Sequence, residues 1–363
     1  MLTCYSIGIF LVSNQTNLSI AIFKKIRIRF FLWLKKKLGI IRPPIVIPYR
    51  GYANDQEIFV AGHVLENRPE FLAEEGDKKR KNFRNMIARY MSTSLPDTHV
   101  NIQVLGQSFT VVTDELGYFS KTLEVNEPLK PGWFEINYAI NDDNGEECFK
   151  ATGDILVHNH KASFGVISDI DDTVLISHAT QLFRKLRLIL TKNAKTRLPF
   201  AGVRDFYCAL AGDDSINPIF YVSSSEWNLY DFLVDFFETR GLPKGPFLLQ
   251  QFKEGLNELI KSGGGTHMHK QEKIETLMTF YPHLSFVLIG DSGQRDPEIY
   301  AEIVKKYPGR VKAIYIRAIG KDKKLDQQVL DIIKNADVPI LLLAHTGEAY
   351  KHARSIGLLS NSF

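Results

Sequence analysis

Two aspartates, Asp169 and Asp171, follow the end of an apolar run in the sequence. The run extends from Phe164 to Ser168 and leads into Asp-Ile-Asp-Asp-Thr. Two carboxylates at the end of a buried strand can divide two tasks, because one can attack phosphorus while the other transfers protons. An acidic turn or part of a calcium loop is the alternative, but neither the Gly nor the distant Glu of such a loop is present.

Two further apolar runs end in residues that suit a phosphate site. Ile219 to Val222 is followed by Ser223, and Phe286 to Ile289 is followed, after one Gly, by Asp291. A hydroxyl near backbone N–H groups can hold a phosphoryl oxygen, and Asp291 can complete a hard-cation site with Asp169. Serines after a strand are more often a turn or a helix cap, so the joint occurrence of three such strand ends indicates a site.

These runs belong to a region whose pattern is typical of an α/β fold. Continuous apolar stretches, including Ala313 to Ile316 and Pro339 to Leu343, alternate with helical stretches. Strands buried on both faces of a parallel sheet have this appearance. Ligands of such sheets bind at the carboxyl ends of the strands, so we expect the polar strand ends to meet. The predicted domain covers residues 161–346, followed by a C-terminal tail at 347–363.

The region before it has the alternating pattern of β-strands. Turn signals separate six predicted strands: Ile58 to Leu65, Val100 to Leu105, Ser108 to Thr113, Tyr118 to Val125, Phe134 to Ile140 and Cys148 to Val157. Short strands at this spacing predict a small β-sandwich domain at residues 45–160. One helical insertion is expected near Asp77 to Met91. A chain of 363 residues is long enough for these two domains and a leader.

The leader, residues 1–44, is basic. The first 54 residues contain nine Lys or Arg and no Asp or Glu. Because the formal net charge of the whole chain is +4, the residues after them carry a net charge of about −5. From Ile20 to Ile41 the apolar and basic residues fall on different helical faces, as in a helix at a membrane surface or one packed on the protein itself. Such localised charge argues against a nucleic-acid partner. Three cysteines without CxxC spacing favour the cytoplasm.

Several sequence blocks resemble the App1-type phosphatidate phosphatase family of the haloacid dehalogenase superfamily. Besides the DxDxT motif at Asp169, they are Tyr221 to Ser225, Trp227 to Phe232, Leu242 to Pro246, His269-Lys270 and Ile289 to Gln294. The resemblance extends from Ile45 to Leu343 and is strongest from Phe164 to Tyr300. It implies a Rossmann-like parallel sheet of the haloacid dehalogenase type, preceded by the β-sandwich. Glu226 departs from the family pattern, in which Pro is expected.

The resemblance also implies catalytic roles. Asp169 would form an aspartyl-phosphate, and Asp171 would protonate the leaving oxygen and then deprotonate water. Ser223 and Lys270 would hold the phosphoryl oxygens as charge redistributes. Lys273 lies one helical turn from Lys270 and is the alternative phosphate-binding lysine.

A magnesium ion is the implied cofactor. Its ligands would be Asp169, the backbone carbonyl of Asp171, and Asp291. Thr173 is a possible supporting residue in the first motif. Asp296 would hold the lysine or a metal-bound water, or it caps the helix that Pro297 begins.

The substrate class rests on a basic segment after the first motif. Ile176 to Leu198 contains six basic residues and no acidic one, beside apolar residues at helical spacing. A helix of this kind can bind an anionic bilayer or pack against the protein core. We therefore expect phosphatidate or a related phospholipid as substrate, and a cytoplasmic protein peripheral to the inner membrane surface. A phosphatase for a soluble or nucleic-acid phosphomonoester and a membrane-associated binding module without turnover are the alternatives.

Overall fold

The computed structural model describes residues 42–67, 93–142, 144–170, 202–250, 266–292, 295–318, 337–343 and 345–359, with isolated positions at 34, 37–39 and 332. Nearly all of the leader, the helical insertion, the basic segment at 176–198, Asp171 and Thr173 lie outside these residues. The described residues form a mixed α/β structure with two sheets. Among them, no helix combines the length and apolarity that crossing a bilayer requires.

The first sheet has eight strands and is mainly antiparallel. Its strands are β1 Pro44–Pro48, β2 Gly51–Ala53, β3 Glu57–Glu66, β4 His99–Val104, β5 Gln107–Val112, β6 Tyr118–Glu124, β7 Gly132–Asn141 and β8 Glu147–Val157. The six predicted strands correspond to β3 to β8. Strands β1 and β2 were not predicted, because the prolines at both ends of β1 also indicate a boundary.

This sheet curls around an apolar core. Strand β3 pairs with β1 and β2 on one side and with β6 on the other, and the path continues from β2 through β8, β7 and β4 to β5. The two ends meet, since Lys121 Nζ of β6 donates to the Thr110 carbonyl of β5 at 3.3 Å. Ile58, Val100 and Ile155 are fully buried inside. The unit is therefore sandwich-like, but one hydrogen-bonded sheet forms both of its layers.

The second sheet has six strands, all parallel. They are β9 Gly165–Asp169, β10 Ile219–Glu226, β11 Phe247–Gln250, β12 Phe286–Asp291, β13 Val311–Arg317 and β14 Ile340–Leu343. Their spatial order is β11-β10-β9-β12-β13-β14. In chain order this is 3-2-1-4-5-6, the order of a doubly wound sheet that reverses between β9 and β12. Asp169 and Asp291 end these two strands.

Helices cover both faces of the parallel sheet. They are α1 Val203–Ala211, α2 Tyr230–Arg240, α3 Thr266–Phe280, α4 Asp296–Lys306 and α5 Thr346–Ser355. One apolar cluster joins α1, α2 and α5 to one face, and another joins α3 and α4 to the other. The predicted C-terminal tail thus contains a helix of this layer, because Ala349 and Ala353 of α5 are completely buried.

The two sheets pack directly on each other. Tyr52 of β2 meets Phe220 of the parallel sheet edge to face, and the Arg50 backbone N–H donates to the Tyr230 hydroxyl at 2.7 Å. The Arg50 side chain, which is buried, also reaches Glu238 Oε1 at 2.6 Å. These contacts hold the curled sheet beside the strands that carry the site. The domain boundaries themselves stay predictions.

Candidate active site

Three buried carboxylates converge where the parallel sheet reverses its order. Asp169 and Asp291 come from neighbouring strands, whose register pairs Ser168 with Ile289. Asp296 is the first residue of α4. One oxygen of each carboxylate lies within 4.8 Å of the others, and each of the three residues is at most 1% exposed. The switch point therefore concentrates negative charge away from water.

Lys270 of α3 lies between two of these carboxylates. Its Nζ is 2.9 Å from Asp169 Oδ1 and 2.5 Å from Asp296 Oδ1. Burial by itself lowers the pKa of Lys270. The negative charges of Asp296 and Asp169 raise it by more than burial lowers it, so the pKa lies above its ordinary value. Lys270 therefore remains an ammonium ion. Lys273 takes a different position, since its Nζ donates to the Ser223 carbonyl at 3.0 Å.

Asp296 is fixed by the backbone of the preceding strand. Its Oδ2 accepts a hydrogen bond from the Asp291 N–H at 3.1 Å. A Cβ atom at Gly290 would overlap Asp296 Oδ2 and lie 2.8 Å from the Tyr300 hydroxyl, which itself donates to the Ile289 carbonyl at 2.8 Å. Only glycine fits this close approach. Asp296 thus contacts the lysine and is the first residue of α4, but it is not the cap of this helix, because the N-cap residue is Arg295.

Tyr207 of α1 contacts Ser168, the residue before Asp169. The Ser168 hydroxyl donates to the Asp169 carbonyl at 2.8 Å, so the Tyr207 hydroxyl, 2.7 Å from Ser168 Oγ, donates to Ser168. Burial raises the pKa of Tyr207, which keeps this donor protonated. The sequence did not predict Tyr207, because a tyrosine on the apolar face of a helix has the pattern of an ordinary core residue.

Ser223 lies at an irregularity in β10. Val222 pairs with Asp169 of β9, which brings Ser223 to the same edge of the sheet. The pairing of β10 with β11 shifts its register between Val222 and Glu226, so the serines form a bulge instead of ending the strand. The Ser225 N–H donates to Ser223 Oγ at 2.8 Å. Bulges commonly redirect side chains beside functional sites.

The carboxylates fit a hard divalent cation. Oxygen ligands are what Mg²⁺ and Ca²⁺ prefer, and the three carboxylates, when ionised, carry more negative charge than the Lys270 ammonium offsets. A divalent cation can neutralise this excess. The cluster contains the predicted ligands Asp169 and Asp291, with Asp296 as its third member, whereas the predicted contribution of Asp171 lies outside the described residues.

A doubly wound parallel sheet with a buried acidic cluster at its switch point defines an α/β protein equipped to bind a hard cation beside a carboxylate. Within this class, residues 164–318 match the family described as phosphatidate phosphatase APP1, catalytic domain. This match supports the resemblance to the App1-type family that the sequence indicated.

Two curated proteins are similar in sequence. Phosphatidate phosphatase APP1 of Saccharomyces cerevisiae is 23% identical over 317 residues, which cover 80% of this chain and 51% of that protein. An uncharacterized protein of Schizosaccharomyces pombe is 30% identical over 161 residues, which cover 43% of this chain and 25% of that protein. The alignments span at most about half the length of these relatives.

A carbohydrate acetylesterase from Xanthomonas citri is among the solved structures that match. It covers 82% of this chain and 69% of its own, at 11% identity and a TM-score of 0.27. This similarity is too low to support a structural argument.

Proposed function

We propose that this protein is a magnesium-dependent phosphatase of the haloacid dehalogenase type that converts phosphatidate, or a related phospholipid, to diacylglycerol and phosphate. The observation that carries the proposal is the buried Asp169, ion-paired with Lys270 and facing Asp291 and Asp296, inside the part of the chain that matches an App1 catalytic domain. The strand order and the buried switch-point carboxylates support the superfamily assignment.

In this proposal Asp169 is the nucleophile. Its carboxylate oxygen forms a bond to phosphorus while the bond from phosphorus to the ester oxygen breaks, and the departing oxygen takes a proton from Asp171. Asp171 then removes a proton from water, which attacks the aspartyl-phosphate, releases phosphate and restores Asp169. The DxDxT motif supports the role of Asp171.

Lys270 and Ser223 stabilise charge in this scheme. The Lys270 ammonium, 2.9 Å from Asp169 Oδ1, holds the nucleophile and offsets negative charge brought by the phosphate. Ser223 lies at the bulge beside Asp169, where its hydroxyl can bind a phosphoryl oxygen. Both side chains are almost fully buried, which strengthens their electrostatic effect on the reacting group.

Magnesium is the proposed cofactor. Asp169, Asp291 and the Asp171 carbonyl would hold it, and Asp296 is placed to bind it directly or through water. When bound, it supplies positive charge that reduces repulsion between an anionic nucleophile and an anionic phosphate.

A lipid substrate is supported by the family and by charge. The yeast relative is named for phosphatidate, and the basic leader and the basic segment at 176–198 are suited to an anionic lipid surface. We therefore place the protein at the cytoplasmic face of a membrane, as a peripheral protein without a nucleic-acid partner.

The test is phosphate release from phosphatidate in mixed micelles, with Mg²⁺ or with EDTA. Wild-type protein should be active only with the metal, and Asp169→Asn should lower kcat by about 10³-fold or more. Asp205→Asn, an exposed change on α1, is the matched control and should leave kcat unchanged. Turnover of Asp169→Asn at the wild-type rate would contradict the mechanism.

A small aryl phosphate separates chemistry from substrate class. Metal-dependent release from the aryl phosphate, without release from phosphatidate, would retain the catalytic site and replace the lipid by a soluble phosphomonoester. Release from neither substrate would favour a binding module without turnover.

A further inference from the structure

A cavity of about 230 Å³ lies between the curled sheet and the parallel sheet. Strands β2, β3, β6 and β11 and helix α3 contribute residues to it, together with Trp227, which follows β10. Six of its fifteen lining residues are Phe, Tyr or Trp: Tyr49, Tyr52, Phe59, Tyr118, Trp227 and Phe247. A concave site with apolar walls and few polar groups is the usual form of a small-molecule pocket.

Helix α3 connects this cavity to the acidic cluster. Lys270 binds Asp169, and Lys273, three residues later, lines the cavity while its Nζ donates to the Ser223 carbonyl. Three residues of helix correspond to about 4.5 Å along the axis. Thr276, a further turn along, is an exposed residue of the cavity wall. A residue of the cavity wall therefore lies within one helical turn of the lysine at the proposed phosphate site.

Two of the described lining residues are charged, Lys273 at the phosphate side and Arg50. His63 stacks on Trp227 with ring centroids 3.8 Å apart, and burial lowers the pKa of His63 to about 3, so it is uncharged at neutral pH. The Arg50 charge is paired with Glu238 at 2.6 Å. Such a wall suits a hydrocarbon chain, and it begins beside a site suited to an anion.

We propose that this cavity binds the first part of one acyl chain of a phospholipid whose phosphate lies at Asp169. The inference rests on the proposed function and extends it to substrate selection. Its volume is below the roughly 300 Å³ at which typical ligand pockets begin, so the cavity holds part of one chain and leaves the remaining lipid in the bilayer or micelle. Through β2 and β3 the curled sheet becomes part of the substrate site.

Thr276→Trp tests the proposal, because an indole at this exposed position would obstruct the cavity. Displacing about two methylene groups corresponds to a loss of about tenfold in kcat/KM. We expect this loss for dioctanoyl phosphatidate in mixed micelles, and no loss for a small aryl phosphate. Thr279→Trp is the matched control, since Thr279 is also an exposed threonine of α3 but does not line the cavity.

Ala61→Leu fills the cavity from the other side. Ala61 of β3 lines it and is 7% exposed, and Ala139 of β7 has the same exposure outside it, so Ala139→Leu is the control for overpacking. The ratio of lipid to aryl phosphate kcat/KM should fall for Ala61→Leu and stay constant for Ala139→Leu. This ratio is independent of the fraction of folded protein.

The outcomes distinguish the cavity from the phosphatase function. Equal losses on both substrates, or an unchanged substrate ratio in both cavity variants, would overturn acyl binding here while leaving a phosphatidate phosphatase intact. Wild-type protein active on the aryl phosphate but not on phosphatidate would overturn both the lipid substrate and the acyl subsite.

Discussion

At the scale of single residues, Lys270 is the cation that two buried carboxylates share. Its side chain is 4% exposed, and the Asp169 and Asp296 side chains it contacts are fully buried. In a site this dry, a charge and its partners are stable only together, because water cannot replace the missing partner. Lys270 therefore contributes to folding as well as to the proposed chemistry.

Replacing Lys270 by an uncharged residue should therefore lower the stability of the fold. Lys270→Met leaves Asp169 and Asp296 without their shared countercharge, and we expect the free energy of unfolding to fall by about 3–5 kcal/mol. Lys273→Met is the matched control on the same helix. It removes the hydrogen bond to the Ser223 carbonyl and should lower the same quantity by only about 0.5–1.5 kcal/mol. Urea unfolding measures both, and equal losses would contradict the assignment.

The sequence identified most of the residues that meet at the site, but not the contacts between them. Asp169, Asp291 and Ser223 could be located from strand ends, since carboxyl ends of parallel strands share one edge. The choice between Lys270 and Lys273 depends on which helical face points at the cluster, and the sequence left it open. Tyr207 could not be identified, because its hydrogen bond to Ser168 joins two distant segments.

At the scale of elements, the site depends on how closely α4 approaches the end of β12. Gly290 is the penultimate residue of β12, and Asp296 is the first of α4. The missing side chain at Gly290 leaves the space in which the Asp296 carboxylate lies. The glycine before Asp291 is therefore a packing requirement of the carboxylate cluster.

Gly290→Ala tests this requirement. The added methyl group would overlap Asp296 and crowd the Tyr300 hydroxyl, so we expect a loss of about 1–3 kcal/mol in unfolding free energy and a large fall in phosphate release. Gly347→Ala in α5 is the control, because a Cβ there meets no atom within 4 Å and alanine favours a helix. Thermal unfolding and phosphate release are the measurements. Wild-type values for Gly290→Ala would show that α4 can move aside.

Element prediction succeeded where apolar patterns are long and failed where they are short. Strands β9, β10, β12, β13 and β14 follow the predicted apolar runs, because strands buried on both faces tolerate few polar residues. Strand β11 has four residues, Phe247–Gln250, which is too short to separate from a loop by pattern alone. The bulge in β10 also escaped prediction, since it depends on pairing with β11.

At the scale of the whole molecule, the two sheets form a common interior that the sequence could not predict. Arg50 and Glu238 are 188 positions apart, and Lys244 Nζ contacts Asp154 Oδ2 at 2.8 Å and lies over the Trp133 ring at 4.2 Å. Such pairs carry no local sequence signal. They hold the curled sheet against the strands of the site, so the stability of this interface affects the cavity and the acidic cluster together.

His63 makes this interface sensitive to acid. It is a residue of β3 whose Nδ1 shares a hydrogen bond with the Tyr49 hydroxyl at 2.7 Å, and its ring stacks on Trp227, which follows β10 of the parallel sheet. Burial lowers its pKa from 6.5 to about 3. The unfolded chain therefore binds a proton below about pH 6.5 that the folded protein does not bind until about pH 3.

Stability should consequently fall as the pH decreases from about 6.5 towards 3, and be independent of His63 above pH 6.5. The loss from this one group is about 2 kcal/mol at pH 5. Measured by urea unfolding at pH 7.5 and pH 5, the acid loss should be smaller by about that amount in His63→Gln, which cannot bind the proton. His160→Gln is the control, because His160 is 64% exposed beside Asp55 and its removal should leave the wild-type acid loss unchanged within about 0.5 kcal/mol. An acid loss of the same size in His63→Gln and the wild type would mean that His63 is protonated inside the folded protein, with its charge accommodated at the interface.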